Sequence, residues 1–362
     1  MKSIEEIIIR SLEYEYSLDL YHNMKQDKYP FIFRPYGRLV KTKIGRTLCL
    51  IQSLFALFVS PALFLCRSML IRYKLSDEMN SGIIYFISSE KARSILCQNM
   101  LKSKGISLSP DYGKKASLSF AMLLTYISIL FKFFKRFYQS PWYFKSCLLI
   151  MEMMAVYEEI DALKVKKIIM TNQLDRWAML LSLIAKEKDV EIELYQHGVV
   201  TGDYKPDIKL PILNKLYCYN KYESDFFSHY IVDKIKNIDY IVPTLNLYPV
   251  DGNCNVLLVG VGSRILIDLE YEAAAKLSKI DGTRLFFKPH PVLVKTFDYS
   301  QLKKLNLSMV ATGAFPKVDI LIHLGSTLAL EYKNSIPEVI IYEFIDQEGL
   351  HKTVSNLKKL LS

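Results

Sequence analysis

A histidine held between two prolines closes the apolar run Phe286-Phe287-Lys288-Pro289-His290-Pro291. Each proline fixes its own φ and restricts the residue before it, so His290 has little backbone freedom. An imidazole fixed at a strand end, with Lys288 beside it, suits contact with an anionic ligand; the alternative is an ordinary loop residue. A second histidine, His197 in the run YQHG, also ends an apolar stretch. Histidine can act as a base near neutral pH. Gly325-Ser326-Thr327 stands directly before the run LALEY, where a helix is expected. Ser326 or Thr327 would cap that helix, and its free N–H groups would suit a phosphate. Glu331, one turn in, could accept hydrogen bonds from ribose hydroxyls, or could simply favour the helix start. Gly260, Gly262 and Ser263 leave a bare backbone after another strand, as close approach of a diphosphate requires. GVGS is not the full dinucleotide fingerprint, however. His323 lies within ILIHL and reads as a satisfied core histidine.

These residues share a position: each follows a predicted strand. From residue 82 onward the chain alternates strand and helix. Strands are expected at Gly82–Ser89, Lys166–Gln173, Ile192–Gly198, Lys215–Asn220 and Asp239–Pro243. Helices are expected from Glu90 to Lys102 and from Asp175 onward. Leu245–Asn255 carries Pro249 and the turn pair Asp251-Gly252, and reads as a linker. The alternation then restarts with NVLLVGVGS and ends with a short amphipathic helix, HKTVSNLKKLLS. The pattern predicts two α/β, Rossmann-like domains, residues 1–245 and 246–362, facing a cleft, with an extra helical segment at the N-terminus. In open α/β sheets ligands bind beyond the carboxyl ends of the strands, where these polar and glycine residues collect.

Composition sets the partners. With 362 residues, 51% of them hydrophobic, the chain can bury a large core, and 13 prolines and 14 glycines argue against disorder. The net charge of +10 favours anionic partners. Six scattered cysteines show no metal-like spacing; several sit in apolar runs and read as reduced, buried thiols, which fits a cytosolic setting. The opening MKSIEEIIIR is acidic where a secretory signal would be basic, so no signal peptide is expected. Between Arg46 and Arg67 lie 20 uncharged residues, long enough to span a bilayer. A second apolar run, Ser117 to Phe131, leads into KFFKRFYQSPWYFK, whose mixture of cations and aromatics matches an interfacial segment. Core helices of an N-terminal domain, peripheral membrane contact and a spanning helix are the alternatives for these runs. A nucleic-acid partner is not expected, because no binding motif accompanies the basic stretch.

Strand-KPHP, followed about 35 residues later by strand-GST-LALE, resembles the HP and serine motifs of bacterial capsule glycosyltransferases of the GT-B fold. Polysialyltransferases and capsule Kdo transferases belong there. YQHG resembles a QHG-type segment in export-linked capsule transferases and CDP-glycerol glycerophosphotransferases. The resemblance covers Lys166 to Phe344; the first 80 residues match nothing. It implies an inverting transfer from a nucleotide-sugar donor, CMP-sugar favoured, to a surface polysaccharide or lipid-linked glycan. His290, Ser326 and Thr327 would hold the donor phosphate, Glu331 the ribose, and His197 would be the base. Polysialyltransferases use an acidic-acidic-Gly motif instead; no clear copy exists here, and Asp175 and Glu90 stand as substitutes. Gly325 replaces a serine common in the family, and NSIPE replaces Gly-Lys-Pro. No cofactor or metal is expected, since the helix start and cations can stabilise the leaving phosphate and no DxD-like pair ends a strand. Location at the inner face of the bacterial inner membrane follows as an expectation. The alternatives are a CDP-glycerol-type phosphotransferase, a UDP-sugar glycosyltransferase, a sugar-nucleotide 2-epimerase and a non-catalytic binding protein.

Overall fold

The computed structural model describes residues 3–17, 42–70, 82–87, 96, 105–115, 118–196, 198, 206–241, 244–252, 254–261, 266–290, 294 and 297–361. The chain divides into two compact units, Met1–Ile241 and Val242–Ser362. The division falls slightly before the expected 245/246 boundary. Leu245, Leu247 and Val250 explain the position: they pack onto the core of the second unit. The Leu245 N–H also donates to Ser335 Oγ at 2.8 Å. The segment read as a linker is therefore largely part of the second unit.

Among the described residues, the first unit holds six strands: β1 (Ile83–Phe86), β2 (Ile106–Leu108), β3 (Lys167–Met170), β4 (Glu191–Tyr195), β5 (Leu213–Cys218) and β6 (Ile235–Tyr240). Their order is β2-β1-β3-β4-β5-β6, and every pairing is parallel. The strand expected at Asp239–Pro243 begins earlier, as β6, an edge strand whose residues are mostly exposed. Its weak apolar pattern hid its true start. β2 is a three-residue strand, too short for periodicity to register.

The helices of this unit are α1 (Ile4–Ser17), α2 (Lys43–Leu70), α3 (Pro110–Lys115), α4 (Leu123–Phe137), α5 (Tyr143–Ala162), α6 (Arg176–Lys188) and α7 (Lys221–Phe226). The 20-residue α5 is apolar around its whole circumference and largely buried. The extra helical segment thus joins one core with the sheet. α1 runs against α6. There Arg176 Nη1 lies 2.6 Å from both carboxylate oxygens of the buried Glu15, and Tyr14 donates to the Gln173 carbonyl at 3.4 Å.

The long helix α2 has two apolar faces. Cys49, Ser53, Ala56, Leu57, Ser60 and Phe64 are buried, and Phe64 stacks on Tyr126 of α4. Ile44, Leu48, Ile51, Phe55 and Phe58, spaced one helical stripe apart, are exposed, Phe58 to 77%. The core reading thus holds for one side of this helix, while its other side is apolar and exposed among the described residues. By length and composition it is a helix that could cross a membrane.

The second unit holds β7 (Asn255–Val259), β8 (Arg284–Lys288), β9 (Ser308–Met309), β10 (Ile320–His323) and β11 (Ile340–Glu343), in the order β11-β10-β7-β8-β9, again parallel throughout. Among the described residues its α-helices are α8 (Ile267–Leu277), α9 (Leu328–Ser335) and α10 (Gln347–Leu361). All five residues of β7 are buried, as expected of a central parallel strand covered on both faces. One face packs Val256, Leu258 and Phe287 with α8 and α10; the other packs Leu257, Phe286 and Leu321 with Tyr332 of α9.

Phe287 is fully buried at the centre of the first layer. Phe287→Ala should lower the stability of this unit by about 3–5 kcal/mol, read as a shifted denaturant midpoint in its own transition.

Candidate phosphate site

The order of the strands places the site. β7 is followed on one side by β8 and β9; the chain then crosses back and lays β10 and β11 on the other side of β7. The topological switch point of the second unit therefore lies between β7 and β10. Ligands of open parallel sheets bind at such points, outside the carboxyl ends. The three segments singled out for phosphate chemistry follow β10, β7 and β8, three adjacent strands. The sheet thus brings together Gly325-Ser326-Thr327, Gly260 and Lys288-His290.

The β10 turn is built by its own polar atoms. Gly325 has φ +67°, a left-handed conformation that a Cβ disfavours. The Ser326 N–H donates to Nδ1 of His323 at 3.0 Å. His323 is buried, and burial lowers its pKa against the opposing pull of Glu343. With Nδ1 accepting, the neutral ring carries its proton on Nε2. The expected core histidine is thus also the residue that shapes the serine turn. Ser326 Oγ accepts from the Leu328 N–H at 3.3 Å, so Ser326, rather than Thr327, is the side chain that caps α9. Thr327 begins the helix with αR geometry. Glu331 lies on the buried face of α9, 5% exposed.

At β7, the Gly260 N–H donates to the Lys288 carbonyl at 2.8 Å. A Cβ on Gly260 would lie 2.7 Å from Glu270 Oε1 and 3.2 Å from the His290 backbone nitrogen. A side chain at residue 260 would therefore push on the Glu270 carboxyl and crowd the His290 backbone. Gly262 and Ser263 lie outside the described residues. The half-exposed His290 sits at the turn after β8, and its carbonyl accepts from Val294 N–H at 3.2 Å.

Lys288 takes a different place from the one its chemistry suggested. It is buried, and Nζ donates to the carbonyls of Ala311 and Ala314 at 2.9 and 2.8 Å, above the Phe315 ring. Burial pulls its pKa down to about 8. These contacts tie down the loop before β10; they direct the ammonium to backbone oxygens.

In the first unit, Asp175 caps α6. Its Oδ1 accepts from Ala178 N–H at 2.9 Å, and Oδ2 accepts from the Asn172 amide. Crowding by protein atoms raises its pKa, and the hydrogen bonds oppose that rise. His197 and Glu90 lie outside the described residues. Beside His197, the Gly198 carbonyl accepts from both Gln173 Nε2 at 3.1 Å and Gln196 Nε2 at 2.9 Å. Gln196 is held in turn by the buried Glu223 at 2.8 Å and by the Tyr219 N–H at 3.1 Å.

Sequence reading passed over Glu270. It stands in LIDLEYEAAAKL on the stripe of Ile267, Ala274 and Leu277, the buried face of α8. A carboxylate on the apolar stripe of a helix was the available signal.

No protein-family model matches the chain, and no curated protein matches it. Solved structures similar to it include the wall teichoic acid polymerase TagF (11% identity, TM-score 0.41, covering 88% of each chain). UDP-N-acetylglucosamine 2-epimerase from Rickettsia bellii is another, at 10% identity and TM-score 0.45, with 76% of this chain and 87% of that one covered. Anabaena HepE, in complex with UDP-glucose, has 11% identity and TM-score 0.43, with 77% and 90% covered. At these values the similarity adds nothing about substrate.

Ser326→Ala should cost about 0.5–2 kcal/mol through the lost cap, and Gly325→Ala about 1–2 kcal/mol through its left-handed backbone. Chemical denaturation of each variant beside the wild type measures both.

Proposed function

We propose that this protein is a glycosyltransferase that moves a sugar from a nucleotide-activated donor to a glycan acceptor, with the Val242–Ser362 unit taking the nucleotide. One observation carries the reading: the three turns that the sequence singled out stand at adjacent strand ends astride the switch point of one parallel sheet. The KPHP and GST-LALE motifs at two of these ends, which resemble those of capsule transferases, support it further. A CMP-sugar is the favoured donor, and a surface polysaccharide or lipid-linked glycan the acceptor.

In this mechanism the acceptor hydroxyl oxygen attacks the anomeric carbon as the bond from that carbon to the phosphate oxygen breaks. The electron pair of the broken bond moves onto the phosphate. The start of α9 at Ser326-Thr327 and the His290 imidazole stabilise that charge. The acceptor proton passes to a base. His197 is the first choice, because Asp175 is committed to its cap; Glu90 is the other alternative. A single displacement inverts the anomeric centre.

The exposed stripe of α2 fits an anionic bilayer surface. Lys43 and Arg46 are exposed at its start, and Lys135 is exposed on α4 beside it, so cations accompany the apolar stripe. We propose that this face holds the enzyme at the inner membrane face near its acceptor.

A nucleotide that binds the folded state raises the melting temperature by mass action, by the equivalent of about 2.7 kcal/mol at a hundred times Kd. CMP or CDP should raise it, and His290→Ala should remove most of the rise. A rise with UDP or GDP instead would redirect the donor, and no rise with any nucleotide would sink the reading. For the membrane face, Phe55→Asp/Phe58→Asp should abolish co-sedimentation with phosphatidylglycerol vesicles while the nucleotide response persists. Unchanged sedimentation of that variant would refute the assignment.

A further inference from the structure

The buried carboxyl of Glu270 has no role in the mechanism above, yet it lies against the proposed phosphate site. Glu270 is 1% exposed. Its Oε2 accepts one hydrogen bond, from the Val261 N–H at 3.1 Å. Oε1 occupies the space that a side chain at residue 260 would need, and the His290 backbone nitrogen borders the same space. Oε1 makes no well-formed hydrogen bond, although the Tyr299 hydroxyl lies beside the carboxyl. A carboxylate in such a place has lost water and gained little in return, which favours its protonated form. No basic side chain forms an ion pair with it among the described residues.

Resting on the reading that this strand edge takes the nucleotide phosphate, we propose that Glu270 is a positioning residue of the site that takes up a proton when that nucleotide binds. It holds the turn after β7 through the Val261 N–H and backs the turn that carries His290. A phosphate placed over these turns brings negative charge close to the carboxyl and makes its ionised form less favourable still. The proton comes from solvent, adds to a carboxylate oxygen, and leaves the buried group neutral beneath the anion. Burial already raises the carboxyl to about 7, with the Val261 and Tyr299 contacts opposing the rise, so a modest further push changes its charge near neutral pH. The sign follows: at a pH just above 7 the free protein holds this site mostly ionised, and binding draws protons in.

Among the described residues, the other titratable groups around the carboxyl are Tyr299 from the segment after β8, Tyr271 on α8 and His290 at the β8 turn. Both tyrosines titrate above their ordinary value, outside this window. An imidazole can also take up a proton on binding an anion, so the measurement compares proteins that all retain His290.

Calorimetric titration of the full chain with CMP, CDP and UDP at pH 7.5, in buffers of different ionisation enthalpy, counts the protons taken up. The wild type should take up a fraction of a proton that Glu270→Gln lacks, and binding by Glu270→Gln should vary less between pH 6.5 and 8. Should Glu270→Gln fail to fold, Tyr299→Phe serves. Without the hydroxyl the carboxyl is more protonated beforehand, so uptake should fall. Equal proton counts in wild type and the folded variant, with binding intact, would overturn the Glu270 assignment alone. Absence of any nucleotide binding by the wild type would overturn the assignment together with the function it rests on.

Discussion

Each sheet runs parallel throughout, and the rest of the C-terminal unit follows from that constraint. Parallel strands need a crossover between neighbours, and the crossovers cover both sheet faces. The strands must then be apolar on both sides, as the fully buried Asn255–Val259 is. The same geometry sends every strand-to-helix turn to one edge, so residues distant in sequence gather there without any direct pairing between them. Gly260 shows how tight that gathering is. The end of β7, the carboxyl of Glu270 and the His290 turn border one small space, which a side chain at residue 260 would crowd.

The turns at this edge cost folding energy unless their polar atoms are paired. His323 meets this need by accepting from the Ser326 N–H, and Ser326 by accepting from Leu328. Lys288 meets it for the loop before β10, with two carbonyls beneath one ammonium. The first unit solves the same problem with amides: Gln173 and Gln196 converge on the Gly198 carbonyl, and Glu223 orients Gln196. The helical N-terminus takes part as well. Glu15 of α1 holds Arg176 directly after the Asp175 cap. A segment that resembles nothing by sequence thus stabilises a strand end that does.

Glu270 and Lys288 illustrate opposite uses of burial. Each side chain is charged when exposed, and each is pushed toward its neutral form by loss of water. Lys288 has two carbonyl acceptors that fix its position, so it acts as a tie. Glu270 has a single backbone donor and an oxygen left over, so its charge is the less firmly held.

The sequence by itself determined the class of each unit, because long apolar runs ending in glycine, serine or histidine mark buried parallel strands and their turns. It also determined the candidates at those turns: Gly260, His290 and Ser326 fall at the ends of β7, β8 and β10, or just beyond them, as the pattern predicted. Weak strands escaped it in whole or in part: β2 and β9 are too short for periodicity, and the start of β6, an exposed edge, was missed. Only the tertiary structure decided which turns are neighbours, since strand order depends on how crossovers pack and not on any local signal. It alone separated Lys288 from the phosphate role by giving its ammonium two carbonyls 23 and 26 residues away. It also decided the double character of α2. Hydropathy reports how apolar a helix is; which face the core covers depends on the neighbours that fold against it.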